Sequence, residues 1–538
     1  MASGFARREE PLPRSLRSRS VCGERRGVLG PEGLSEKRRF CLEVRMQEKM
    51  PVVDMLEKWA GKSRHRLHMP GHKGGRGLHN VPGFDALRFD ATELADTDDL
   101  FAPAGALKEA MELAAAGFSA VWTRFLTAGA TAGVLAMLLS LEPGSDVVVG
   151  RDCHRSVAAG VELAGLRPVF VYPEAPEDGL PGCVCPDRVE DALKKRRAGA
   201  VVVTYPNYYG LCPDLGAIRA AADRHGALLL VDGAHGTHFA SGASALPPYA
   251  GRFADVWVDG AHKTIGAMGQ GAFLHMGARA REKEKGMARE TLERALALVH
   301  TSSPSYPVLA SLDASRQRLF TKGAEWQDFA LSCQEALRSI DALPGLACPG
   351  LSATGRAGVA AYDPTRLVVD VRGRGLTGYA AAPILKSAGI EVEMCDGARV
   401  VGIAAPWDPA ALTALRGALA ALKGAGRGEC PHEPALPPFR AQAMRPASRR
   451  VELVEVAVAK GRVAAAAVGA YPPGIPALWP GEAVNADAVR YLMGVLNSGG
   501  RLFGLQDGRL PVFGIQAQER GGGGETQKKG RLNVKGER

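Results

Sequence analysis

The chain has 538 residues, too many for one hydrophobic core and suited to two or three domains. Hydrophobic residues make up 46% and charged residues 23%, an ordinary globular balance, and no apolar run approaches the roughly 20 residues that span a bilayer, which speaks against a helical membrane protein. The net charge of +10 raises a nucleic-acid-binding reading, but residues 1–50 hold 12 Lys and Arg against 7 Asp and Glu, and residues 519–538 hold 6 against 3, so the long middle of the chain is nearly balanced.

Residues 1–45 are rich in Arg, Ser, Gly and Glu and lack the apolar segment of a signal peptide. They read as a disordered basic arm or as an over-extended start ahead of Met46 or Met50. After Pro51, Val52, Met55, Leu56 and Trp59 recur at helical spacing. His68-Met69-Pro70-Gly71-His72-Lys73-Gly74-Gly75 follows as a loop, in which the roles of His72 and Lys73 stay unassigned. Asp96-Thr97-Asp98-Asp99 reads as a turn and cap before an apolar stripe of Leu107, Met111, Ala114, Ala115 and Phe118. Phe125 to Val134 is a strand-to-helix turn of small residues, Gly129-Ala130-Thr131-Ala132-Gly133, and backbone N–H groups at such a helix start hold phosphate.

Asp146 to Val149 is a buried-type strand, followed by Arg151-Asp152-Cys153-His154-Arg155-Ser156. Runs at Val169–Val171 and Ala200–Thr204 continue an alternation of strands and helices, and Tyr205 to Gly210 forms a loop able to line a cleft. This order predicts an α/β fold with a mainly parallel sheet covered on both faces. Ligands of such sheets gather at the carboxyl ends of strands, where Thr204, Asp232 and His262 fall. The ten cysteines lack CxxC or CxxH spacing, and Cys183 and Cys185 stand too close for an ordinary metal pair. They read as reduced thiols of a cytoplasmic protein, with no metal site.

Two stretches carry the chemistry. Ala227 to Val231 ends in Asp232-Gly233-Ala234-His235-Gly236. About thirty residues on, the strand-like run Asp255–Val258 leads through Asp259-Gly260-Ala261 to His262-Lys263 and the glycine-rich Thr264–Gly271. One strand ending in aspartate and another ending in His-Lys are what a pyridoxal phosphate site requires: the aspartate keeps the pyridine nitrogen protonated, and the lysine amine carries the cofactor. Lys73 is the rival carrier, but it lacks a preceding strand.

Together with HMPGHKGG, these stretches resemble the Orn/Lys/Arg decarboxylase family of fold-type I pyridoxal phosphate enzymes, over roughly residues 50–515 and in the compact form of Gram-positive bacteria. The resemblance implies pyridoxal 5′-phosphate as cofactor, a basic amino acid as substrate (arginine first, lysine second), and a homodimer or larger homo-oligomer with sites near the subunit interface. Lys263, His154 and Asp232 would be catalytic, with His154 stacked on the pyridine ring and His235 supporting the Asp232 end. Gly129, Ala130, Thr131 and His262 would hold the phosphate, and Ser302 would reach a cofactor phosphate, often the neighbouring subunit's. Glu393, on an expected strand Ile390–Met394, would face the substrate's distal cation. Relatives usually carry Gly-Ser-Thr-Ser-Gly at 129–133, often Ser at 260 and often Glu at 233; here the cradle is two hydroxyls short and both other positions are glycine.

The expected domains are a large cofactor-binding domain at 46–305, a small α/β domain at 306–423, a Pro-rich linker at 424–440, a C-terminal decarboxylase-type domain at 441–517 and a flexible tail at 518–538. The helix-rich stretch Leu309 to Leu343 and strands at Arg366–Val371 and Val451–Val456 belong to this plan, and Ala470 to Pro476 is a conspicuous local likeness to the family's C-terminal part. Transamination or aldol cleavage on the same fold, a degenerate relative, and a basic nucleic-acid-binding protein are the rival readings.

Overall fold

Short runs of aliphatic and β-branched residues form the central strands, as expected where a sheet is covered on both faces. The computed structural model describes residues 46–62, 65–70, 72–76, 85–174, 179–282, 287–424 and 450–514. Its first eight strands are β1 (Trp122–Leu126), β2 (Asp146–Gly150), β3 (Arg167–Val171), β4 (Ala200–Thr204), β5 (Leu211–Pro213), β6 (Leu228–Asp232), β7 (Val256–Asp259) and β8 (Ala272–Met276). All but β5 form one sheet in the order β1-β8-β7-β6-β4-β2-β3. β8 runs antiparallel to both neighbours, and the run from β7 to β3 is parallel throughout. Successive side chains serve opposite faces: Val201, Val203, Leu229 and Val231 enter one core, and Ala200, Val202, Leu228 and Leu230 the other.

A second sheet follows. β9 (Val359–Tyr362) pairs with β5, while β10 (Arg366–Asp370), β11 (Met394–Cys395) and β12 (Arg399–Ile403) form an antiparallel sheet in the order β10-β12-β11. Residues of the helices Gly323–Asp341, Gly378–Ser387 and Ala410–Ala420 complete its own core. The strand expected at Ile390–Met394 is reduced to Met394 and Cys395. Its first residue is tied into the preceding helix end instead: Gly389 takes φ +83°, and the Ile390 N–H donates to Leu385 O at 2.9 Å.

Near the C-terminus, β13 (Val451–Val454), β14 (Gly469–Ala470), the helix Ala486–Asn497, β15 (Leu502–Phe503) and β16 (Leu510–Phe513) surround a small core of their own. The N-terminal arm at 1–45, nearly all of the 424–440 linker and the 518–538 tail lie outside the described residues. Among the described residues no helix is long and apolar enough to cross a membrane.

The C-terminal part is fastened to the main sheet at the mouth of the carboxyl edge. Trp479 packs edge-on against Phe170, with centroids 4.8 Å apart, inside the core under the sheet. Arg151, just after β2, is buried; it donates to Pro476 O and meets Glu482 Oε2 at 3.0 Å, and the same oxygen accepts the Trp479 N–H at 2.8 Å. A buried pair contributes little against an apolar replacement, but removing one partner strands the other. Arg151→Met is expected to lower stability by about 3–5 kcal/mol in urea unfolding. Arg151→Met with Glu482→Leu should recover much of that loss, and equal losses would show that the ion pair is not the fastening.

Candidate active site

Three parallel strands deliver their last residues to one edge. β4 ends at Thr204 and β6 at Asp232, paired in register, and β7 ends at Asp259 beside them. The chain then turns at Gly260 into a single helical turn, Ala261–Thr264, which carries His262 and Lys263. The β6 and β7 loops close tightly on each other. A Cβ at Gly260 would stand 2.5 Å from Ala234 O, and one at Gly233 would stand 2.9 Å from Val258 O. The space a side chain would need at these two glycines is therefore filled by neighbouring backbone, not left as holes.

At the end of β1 the helix Gly129–Leu139 begins with Gly129 at φ +73°, a left-handed conformation suited to glycine. Its N–H donates to Gln270 O at 2.8 Å, and His300 Nε2 accepts the Thr127 N–H at 3.0 Å, which pins the approach to the helix. Gly133 lets the helix lie against β7, since a Cβ there would stand 2.6 Å from Val258 Cγ2. The first-turn N–H groups have no intrahelical acceptor, and Gly129, Ala130 and Thr131 line the cavity.

His154 caps the helix Arg155–Leu163, its Nδ1 accepting the Ser156 N–H at 3.2 Å. Burial lowers its pKa, with Asp232 opposing and Lys263 reinforcing the shift. Gly474, from the C-terminal part, packs close enough that a Cβ there would meet His154 Cδ2 at 3.3 Å. His262 must donate from Nδ1 to Gly271 O (2.8 Å), because a carbonyl can only accept, and this leaves Nε2 for a ligand.

These residues enclose a cavity of about 370 Å³. Gly129, Ala130, Thr131, His154, Asp232, His235, His262 and Lys263 all line it, and Lys263 is the sole lysine among the described residues of its wall. Lys73 is elsewhere, its amine donating to His68 O at 2.6 Å. Ser302 is exposed and outside the wall of its own chain's cavity. Glu393 is exposed and does not line the cavity, yet its charge acts on Lys263, His262 and Tyr208. His235, expected to support Asp232, is turned to the lysine instead: its Nε2 lies 2.9 Å from Lys263 Nζ. The cause is the tight turn after β6, in which the Ala234 N–H bonds Asp232 Oδ1 and the Gly236 N–H bonds Gly233 O.

Sequence reasoning passed over Asp152, Gln270, Tyr471 and Ile475, which also line the cavity. Asp152 stood in view beside His154; Tyr471 and Ile475 reach the wall from more than two hundred residues away. The wall fits pyridoxal phosphate. An acid, an amine and an open helix start share it, and the buried Thr204 Oγ1 has no partner among the described residues, so a polar ligand would satisfy it.

Models of two parts of one family match this chain: Orn/Lys/Arg decarboxylase, major domain, at residues 50–342, and its C-terminal domain at residues 429–521. The arginine decarboxylase of Bacillus subtilis is 29% identical over 88% of this chain and 99% of its own length. That of Bacillus anthracis is 31% identical over 87% and 97%. Among solved structures, the lysine decarboxylase of Francisella novicida superposes with a TM-score of 0.73 at 17% identity, covering 87% of this chain and 81% of that one, a likeness of fold.

Asp152 gives a pH test of the cavity. Its carboxyl is buried, Oδ1 has no partner among the described residues, and burial pushes its pKa up to about 6. The folded state therefore keeps a proton that the unfolded chain releases near pH 4, and stability falls as pH rises from about 4 through about 6. Asp152→Asn lacks this loss. Its stability relative to the parent should rise by up to roughly 3 kcal/mol between pH 4 and 7.5 in urea unfolding, and a pH-independent difference would show that the carboxyl is not held neutral.

Proposed function

The chain belongs to the Orn/Lys/Arg decarboxylase family, pyridoxal-phosphate-dependent decarboxylases of basic amino acids, and from that premise we propose that it converts arginine to agmatine, with lysine the second choice. The observation that carries the site assignment is one wall holding Lys263, Asp232, His154 and the Gly129–Thr131 helix start together. When bound, pyridoxal phosphate supplies an electron sink for the pair released as the α-carboxylate departs as CO2.

The chain's own residues supply the rest. Lys263 Nζ would carry the cofactor, and Asp232 would keep a proton on the pyridine nitrogen, so that the ring can accept charge. His154, fixed by its capping bond to Ser156, would orient the ring plane. The helix start at Gly129, Ala130 and Thr131, with His262 Nε2, would bind the phosphate. Glu393 already biases the charge balance at Lys263, and we assign it to the substrate's distal cation. Ser302, exposed on its own chain, would serve a neighbouring subunit's site in a cytoplasmic homo-oligomer.

Purified protein with pyridoxal phosphate, offered arginine, lysine and ornithine separately, is expected to release CO2 and the matching amine from arginine most rapidly. Release from none of the three would overturn the reading. Borohydride fixation of the bound cofactor followed by peptide mapping should label Lys263; a label on Lys73 would move the carrier. Asp232→Ala should still be labelled but lose about 10²–10³-fold in turnover, and full activity would remove the electron-sink role.

A further inference from the structure

Lys263 is connected to the second sheet through one imidazole. Arg366, the first residue of β10, is wholly buried, and its Nη2 donates to His235 Nδ1 at 2.9 Å and to His235 O at 3.1 Å. Its path is built into the fold. Gly210, at φ +79°, leaves the space through which the Arg366 stem passes, since a Cβ there would stand 2.7 Å from Arg366 Cβ and Cγ.

A guanidinium in a protein stays charged and can only donate. His235 Nδ1 must therefore present its lone pair to Arg366. His235 is also wrapped in positive charge: burial, then Lys263, Arg366, His154 and His262, hold its pKa well below the ordinary value, so the ring is neutral. A neutral imidazole with a bare Nδ1 carries its proton on Nε2. That N–H faces Lys263 Nζ at 2.9 Å, and an ammonium group has no lone pair with which to accept it.

We propose that Arg366 is a positioning residue which, by fixing the tautomer of His235, holds Lys263 as the free, nucleophilic amine ready to take up the cofactor. The proposal rests on the reading that Lys263 is the carrier. The other charges around Lys263 divide: burial and Arg366 favour the free amine, while Asp232 and Glu393 favour the ammonium, and the balance lies below the ordinary lysine value of 10.5. His154 and His262, both with pKa values lowered by burial, add no fixed charge at neutral pH, and the Tyr208 ring lies 5.8 Å from Nζ. Arg366 itself lies outside the cavity wall, so beyond the direct effect of its charge it reaches Lys263 through His235 and would touch neither substrate nor cofactor.

The test titrates Lys263 in the full-length chain stripped of cofactor, by amine-reactive labelling across pH 6–11 with mass-spectrometric reading of the Lys263 peptide. The other lysines serve as internal references. Wild type should label with a midpoint below 10.5. Arg366→Met and His235→Phe should each raise that midpoint by about one pH unit or more, slowing Lys263 labelling at pH 7 about tenfold. His235→Phe keeps the Arg366 charge and so separates the tautomer from simple repulsion between cations. His235→Gln, whose amide offers both an acceptor and a donor, should restore much of the wild-type midpoint. If Arg366→Met fails to fold, the two His235 variants decide. An unmoved midpoint in His235→Phe overturns the proposal even where borohydride labels Lys263; a borohydride label on Lys73 overturns the carrier reading whatever the titration shows.

Discussion

Removing a lysine amine from water is the constraint on which the rest of the site depends. A buried cation is costly unless it is paired or gives up its proton, and Lys263 is surrounded in a way that favours the second course. Three imidazoles and a guanidinium crowd it, and burial holds His154, His235 and His262 in their neutral range. What remains is a wall rich in lone pairs and donors, with Asp232 and Asp152 as its acids and Glu393 acting from outside it. Such a wall offers an anionic ligand the N–H donors and the dipole of the open helix start rather than a net positive charge, and a phosphate-bearing cofactor is matched to it in that way.

The fold supplies this wall from sequence-distant pieces because a parallel sheet brings every strand's carboxyl end to one edge. Asp232 ends one strand and Lys263 follows the neighbouring strand by four residues, so strand pairing sets their approach and the turn at Gly260 completes it. The glycines at 233 and 260 then let the two loops meet backbone to backbone, which keeps the lysine from drifting away from Asp232. The C-terminal part closes the cavity from outside: Gly474 meets His154, and Tyr471, Pro473 and Ile475 complete the wall. The buried Arg151–Glu482 pair lies just beside this contact, so fastening and site are one structural feature.

What was legible in the sequence was what local pattern controls. The strands of the main sheet read clearly because they are uninterrupted aliphatic runs, and Asp232, His262 and Lys263 read clearly because a polar residue at the end of such a run has no core role to play. The strand at Ile390–Met394 misled because Glu391 and Glu393 alternate with apolar residues as a half-buried strand would, while the Gly389 helix stop decides the backbone. His235 was legible as a site residue but not its direction, which follows from the turn at Ala234. Arg366 could not be found at all, since its partner is 131 residues away and nothing local marks an arginine at a strand start as buried. In sequence the glycine at 260 puts a phosphate contact in doubt and that at 233 matters little while Asp232 is kept; packing shows that neighbouring backbone fills the space at both.

The placement of arginines also bears on which reaction this scaffold supports. Transamination keeps the substrate's α-carboxylate, and an arginine fork that binds it bidentately serves that end. Decarboxylation requires the same carboxylate to leave as a neutral gas, so a buried guanidinium gripping it would stabilise the ground state more than the departure. The arginines of the second sheet are engaged elsewhere: Arg372 with Asp370 at 2.6 Å, Arg399 with Asp396 at 3.5 Å, and Arg366 with His235. Arg155, the one guanidinium among the described residues of the cavity wall, is exposed and lies over the rings of Tyr471 and Phe503. Among the described residues, then, the guanidinium that the wall offers a substrate carboxylate is the exposed one of Arg155.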